Sequence, residues 1–289
     1  MKIKNGKAYY AGFLFPSLLA IGLVILVPLI YGMYMSFTNS DGYNMDFIGI
    51  ENYRLILNDS NFIESFWVTV RFSVISVIGI NLIGLGLALL VTRKDTKVTT
   101  LFRTTYFTPN LIGGLILGFI WQFIFIQGFD GIYQLTGWNF FEGWLSDEQT
   151  AFWAMVIVFL WQMSGYIMLI YISFLSNIPK EFTEAARIDG ASNWQTFFYV
   201  KLPLLLPAFT ISLFLTLSNA FKVYDLNLAL TDGGPFRSSE MVAMNIYNTA
   251  FQQYRQGYAQ AKGVIFLILI AAISLTQVYI TRSKEVDIS

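Results

Sequence analysis

The placement of charge constrains this chain more than any other feature. Six stretches longer than 18 residues contain no Asp, Glu, Lys or Arg: 8–40, 72–92, 104–129, 149–179, 202–221 and 263–281. Together they take up 150 of the 289 residues. All 36 charged side chains fall in the other 139 residues, about the charge density of a soluble protein. Half of the chain suits a bilayer and half suits water. A hydrocarbon core of ~30 Å takes about 20 apolar helical residues, so each stretch is long enough for one crossing. The predicted spans are 11–37, 67–92, 105–127, 152–175, 204–222 and 262–281. They must be helices, because an open strand edge has no partner in lipid. Barrel strands would alternate over about ten residues, which these runs do not do. The expected fold is an all-α integral membrane protein of six transmembrane helices, one domain over 1–289.

Orientation follows from Lys and Arg. With the N-terminus cytoplasmic, 12 of the 18 basic residues fall inside: Lys2, Lys4, Lys7, Arg93, Lys94, Lys97, Arg103, Lys180, Arg187, Lys201, Arg282 and Lys284. Twelve of the 18 acidic residues fall outside. Both termini are predicted inside. The lysines before the first apolar run suggest a signal peptide, but the run is too long and no small-x-small site closes it. It is read as an uncleaved first span.

Composition excludes several chemistries. The chain has no Cys and no His, which removes thiol nucleophiles and the common zinc, haem and Ser-His-Asp arrangements. A net charge of +0 argues against a nucleic-acid partner. There is no GxxxxGK[ST] phosphate loop, and no acidic residue lies in the middle of a span. Neither ATP hydrolysis nor intramembrane catalysis is expected of this chain.

The loop between spans four and five is the most informative segment. Its chemistry predicts two short helices within 177–203. Asn177 or Ser176 caps the first, with Pro179 in its first turn. Gly190 ends it in the left-handed conformation. Ser192 then opens the second in a capping box with Gln195, and Pro203 marks the start of span five. Phe182, Ala185, Ala186 and Asp189 share one face of the first helix. Two readings fit this hairpin: a docking surface for another subunit, or a surface helix lying in the lipid interface.

The residues themselves carry a resemblance. Glu184-Ala185-Ala186-x-x-Asp189-Gly190-Ala191, followed by Phe197 and Leu202-Pro203, resembles the EAA loop of ABC-importer permeases. It stands before the penultimate span, where that family has it. Lys222-Val-Tyr224-Asp225 with Leu230-Thr-Asp-Gly-Gly-Pro235, and Phe47-Ile-Gly-Ile-Glu-Asn-Tyr53, are similar to carbohydrate-type permeases of the maltose and glycerol-phosphate group. Many of these have Gly where Asp232 stands. The resemblance implies a type I importer permease in a bacterial or archaeal cell membrane. Its implied partners are a second homologous permease, two ATP-binding subunits that hold ATP and Mg, and an extracytoplasmic sugar-binding protein. It also implies that Glu184, Ala185, Ala186, Asp189, Gly190 and Ala191 couple the chain to the ATPase. The alternative is a secondary transporter with an interfacial helix between spans four and five.

Polar residues within spans mark a candidate path, because such groups face protein or water rather than lipid. Ser212, Thr216 and Asn219 form a stripe at i, i+4 and i+7. Gln162 and Tyr166 lie one turn apart, Asn110, Gly114, Gly118 and Gln122 follow at steps of four, and Asn81 stands among glycines. Sugars bind planar hydrogen-bonding groups and aromatic faces, which Trp121, Gln122, Tyr166, Asn219 and Tyr224 supply; with the polar stripe, the candidate substrate path is Gln122, Tyr166, Ser212, Thr216, Asn219 and Tyr224. Each has a plainer alternative. Gly114-x-x-x-Gly118 serves close helix packing equally well, Ser and Thr bond back to their own helix, and Lys222 and Asp225, three apart, suit an ion pair.

Overall fold

In the computed structural model, which describes residues 6–92 and 96–285, the chain is helical almost throughout. Among the described residues no strand forms, and one isolated bridge pairs Thr38 with Phe47. Lys2, Lys4, Arg93 and Lys94, counted above for orientation, lie outside the described residues.

Helix α1 (Gly6–Ile21) passes through a π-turn at Gly22–Leu26 into α2 (Val27–Met35). The wide turn falls just ahead of Pro28, which has no N–H to return to the preceding turn. Short α3 (Glu51–Ile56) leads to α4 (Ser60–Val91). Helix α5 (Lys97–Phe107) starts at Thr96, whose hydroxyl accepts the Thr99 N–H. A 3₁₀ turn at Thr108–Leu111 separates it from α6 (Gly114–Phe123) and α7 (Phe129–Thr136). The Asp147 carboxylate caps α8 (Glu148–Asn177) by accepting the N–H groups of Gln149 and Thr150. Then come α9 (Lys180–Ile188), α10 (Asn193–Thr196), α11 (Leu202–Leu204) and α12 (Leu206–Phe221). The chain finishes with α13 (Asp225–Leu230), α14 (Val242–Tyr247) and α15 (Gln256–Arg282).

Among the described residues five stretches are long and apolar enough to cross a bilayer: Gly12–Met35, Ser60–Val91, Gly114–Thr136, Glu148–Asn177 and Gln256–Arg282. A sixth is the pair Asn193–Leu204 and Leu206–Phe221, bent by 66°. Six apolar runs thus give up to six spans, with two corrections. The third span is Gly114–Thr136, not 105–127. Pro109 and the extended Gly113 break the helix there (φ −60°, ψ 142° at Gly113), and the residues before the break form the separate α5. The fifth is the bent pair with its break at Leu205, not one helix over 204–222, because Pro203 and Pro207 flank that break.

The described residues form two compact units. One combines the residues up to Ser60 with Ile246–Ile268. Here the Gly257 N–H donates to Ser40 O (2.9 Å), and a Cβ on Gly257 would lie 2.1 Å from Thr38 O. Asn52 Nδ2 donates to the carbonyls of Ser36 and Thr38 at 2.9 and 2.8 Å. Lys262, only 2% exposed, pairs with Asp59 at 2.9 Å and donates to Thr249 Oγ1 at 3.0 Å. The Tyr258 hydroxyl donates to the same carboxylate at 2.7 Å.

The other unit takes Asn61–Asn245 and the chain from Leu269 onward. Its core runs along α8, whose most apolar stretch is 56% buried, against 0% for the first span. Close approach defines the packing. A Cβ on Gly165 of α8 would lie 1.8 Å from Tyr106 O of α5. One on Gly118 of α6 would meet Ala229 Cβ of α13 at 2.5 Å. The Gly114-x-x-x-Gly118 face is therefore a packing face, where only hydrogen leaves room for the neighbouring backbone.

Candidate functional site: a surface hairpin and a polar cavity

The hairpin is closed by local bonds. Helix α8 runs through Asn177, so neither Asn177 nor Ser176 caps α9 as expected. Pro179, in extended backbone, occupies the N-cap position without a side-chain bond. At the other end the Ala191 N–H reaches Ala186 O (2.9 Å) and the Gly190 N–H reaches Arg187 O (3.1 Å), with φ +80° at Gly190. These two bonds form a Schellman stop, which requires the left-handed backbone that glycine adopts freely. Ser192 Oγ then accepts the Gln195 N–H (3.3 Å) while Gln195 Oε1 accepts the Ser192 N–H (2.8 Å), the expected capping box.

Glu184, Ala185, Asp189 and Gly190 are exposed, and Ala186 and Ala191 half-buried. Beside them Ile188 is 87% exposed and Trp194 is 73% exposed. Large apolar side chains held out on a turn closed by its own bonds suit either a partner subunit or the lipid interface.

The second feature is a cavity of about 380 Å³ in the larger unit. Its walls come from the 3₁₀ turn before α6, from α8, and from the junction of α12 with α13. Asn110, Gln162, Asn219 and Tyr224 line it, with Phe159 and Met163 as apolar floor and Lys222 and Asp225 at the junction. Gln162 Nε2 donates to Ile112 O at 3.1 Å and ties the turn to α8. Asn219 Nδ2 donates to Leu215 O at 2.9 Å, and Asn110 Nδ2 lies 3.4 Å from Met163 Sδ. Each amide is oriented through its nitrogen, which leaves three carbonyl oxygens as acceptors for hydroxyl donors. Lys222 and Asp225 make no ion pair among the described residues. The helix stops at Phe221 and Tyr224 is non-helical (φ −129°, ψ −56°), so i, i+3 spacing does not bring the two together.

The structure brings together only part of the predicted path. Asn219 and Tyr224 line the cavity. Gln122 instead points its amide at Leu230 O (3.4 Å), within the contact of α6 with α13. Tyr166 is half-buried and packs on the apolar core. Ser212 and Thr216 are 0% exposed and belong to a buried hydrogen-bond cluster with Tyr171 and Asn81. In the sequence Gln162 and Asn110 stand out only as polar residues within apolar runs; the turn at Thr108–Leu111 puts Asn110 on the wall beside Gln162 of α8.

Comparison with known proteins shows the family and the fold. Residues 80–286 match the family described as binding-protein-dependent transport system inner membrane component. The probable starch degradation products transport system permease protein AmyD of Thermoanaerobacterium thermosulfurigenes is 48% identical, over 98% of this chain and 97% of that protein. The multiple sugar-binding transport system permease protein MsmF of Streptococcus mutans is 34% identical over 90% of each. A crystal structure of a bacterial ABC transporter that imports the acidic polysaccharide alginate shares the fold, with a TM-score of 0.84, 19% identity and 97% of each chain covered. This chain is a multi-pass membrane protein and belongs to the binding-protein-dependent transport system inner membrane component family.

Proposed function

We propose that this chain is a permease subunit of an ATP-driven carbohydrate importer, with an oligosaccharide as the solute. The observation that carries this reading is the hairpin: a bond-closed turn that presents Glu184–Ala191 beside the exposed Ile188 and Trp194. The relatives named for starch products and multiple sugars support the solute class, as does a cavity with three amide acceptors and a tyrosine.

On this reading the whole chain works as one permease domain in the cell membrane of a bacterium or archaeon, with both termini in the cytoplasm. A second homologous permease completes the path. Two ATP-binding subunits hold ATP with Mg, and the hairpin docks on one of them through Glu184, Ala185, Ala186, Asp189, Gly190 and Ala191. An extracytoplasmic binding protein delivers the sugar to the opposite side. Closure of the ATP-binding subunits moves the hairpin. Helices α8 and α12, which flank it, carry that movement to Gln162 and Asn219. The amide oxygens accept sugar hydroxyls, and Tyr224 offers a face to the sugar's C–H surface.

The test is transport by the complete complex in vesicles against a carbohydrate panel. Uptake should need ATP and ignore ionophores. Replacing Glu184–Ala191 with a Gly-Ser linker should abolish copurification of the ATPase. ATP-independent uptake that collapses with an ionophore would sink the reading in favour of a secondary transporter.

A further inference from the structure

Helices α8 and α12 are joined by the hairpin and also meet inside the bundle. Tyr171 of α8 is 0% exposed. Its hydroxyl donates to Asn81 Oδ1 of α4 at 2.8 Å and lies 2.9 Å from Ser212 Oγ of α12. Asn81 Nδ2 donates to Thr216 Oγ1 of α12 at 3.2 Å and to Val77 O of its own helix at 2.8 Å. Asn81 is 5% exposed, and Ser212 and Thr216 are 0% exposed. Four polar side chains thus join three helices in an apolar interior.

Such a group is unfavourable to bury unless each member is bonded. Apolar side chains of the same size would hold helices together without that demand. What the polar set adds is register, since its bonds form in one alignment of the three helices. Its position along the helices matters too. On α12 the order from the hairpin is Ser212, Thr216, then Asn219 at the cavity. On α8 it is Tyr171, then Gln162 at the cavity, ~14 Å further by helical rise. The cluster lies between hairpin and cavity on both helices.

We infer that Tyr171 is a positioning residue of transport. It locks α8, α12 and α4 in one register, so that movement of the hairpin reaches Gln162 and Asn219 as displacement of whole helices. Ser212 and Thr216 then form the joint behind the path and not its wall. The inference rests on the ATP-driven reading above.

Tyr171→Phe tests it, because the ring and its contact with Phe209 at 5.1 Å remain. In the complete complex, the ATPase should copurify normally and hydrolyse ATP within about twofold of wild type, while sugar moved per ATP falls about tenfold. The half-saturating sugar concentration should not change. Ser212→Ala, which removes only the bond to Tyr171 from this set, should give a smaller loss of the same kind, and the double variant should add nothing to Tyr171→Phe, which already lacks that bond as well as the one to Asn81. A raised half-saturating concentration with normal coupling would overturn the inference and return Ser212 and Thr216 to the sugar. Equal loss of assembly, hydrolysis and transport in both single variants would reduce the cluster to a fold element.

A second readout does not depend on transport. The chain has no Cys, so spin labels can be placed uniquely at Trp161→Cys on α8 and Ile211→Cys on α12, both exposed. The distance between them should be narrowly distributed when Tyr171 is present and broad in the Tyr171→Phe variant, whose ring has no hydroxyl. An unchanged distribution overturns the joint, whereas a wild-type complex without ATP-driven uptake overturns only the transport reading.

Discussion

The hairpin and the cavity are built by opposite means. The turn between α9 and α10 is shaped by bonds between near neighbours, from Ala191 back to Ala186 and between Ser192 and Gln195. The cavity wall begins at Asn110 and ends at Leu226, and most of the larger unit lies between them in the chain. A locally closed element keeps its shape when it moves and docks. A wall assembled from distant segments keeps its shape only while the helices behind it stay in contact. The hairpin should therefore tolerate change as a body, and the cavity should respond to changes in the packing of the helices behind it.

The strongest test of this contrast is Gly165→Ala. Its methyl would lie 1.8 Å from the Tyr106 carbonyl, a backbone atom, so α5 and α8 must separate. We expect a loss of about 3 kcal/mol, read as a lower melting temperature in detergent, together with weaker sugar uptake. An unchanged melting temperature would break the claim that the cavity depends on the close packing of α5 against α8. Gly190→Ala comes next. The new methyl meets open space, but φ is +80°, so about 1–2 kcal/mol is lost at the turn alone. The ATPase should copurify less well while the bundle melts nearly as before. Ser192→Ala removes the cap at about 1 kcal/mol, visible as faster amide exchange confined to Asn193–Thr196. The smallest effect on stability belongs to Trp194→Ser. At 73% exposure it should change stability by less than about 0.5 kcal/mol and still impair ATPase copurification. A large destabilisation would show that Trp194 serves the fold and not a partner.

The same contrast explains what can be read from residues alone. Gly190 and the Ser192–Gln195 pair act within a few positions, so their conformations follow from local chemistry. Asn177 has the chemistry of a cap and does not act as one, because α8 continues through it. The third span starts later than hydropathy indicates, because the apolar run continues across Thr108-Pro109-Asn110 and registers no break there. The cavity is legible in part. Asn219 shares a helical stripe with Ser212 and Thr216, yet Asn219 reaches the cavity while the other two face Tyr171 and Asn81. Periodicity assigns side chains to a face of one helix. Which stretch of that face is covered depends on α4 and α8, distant in sequence.

The 66° bend at Leu205 has a mechanical consequence. The 12 residues before it form an arm ~18 Å long, and the 16 after it one of ~24 Å, at 1.5 Å per residue. Two arms at that angle make a crank. Most of a push along the short arm lands across the long one, and a straight helix in the same place would transmit it as a slide along its own axis. On the proposed function, the prolines at 203 and 207 would thus turn a thrust at the hairpin into a tilt and not a piston stroke, and a tilt would move the wall of the cavity at the far end of the long arm.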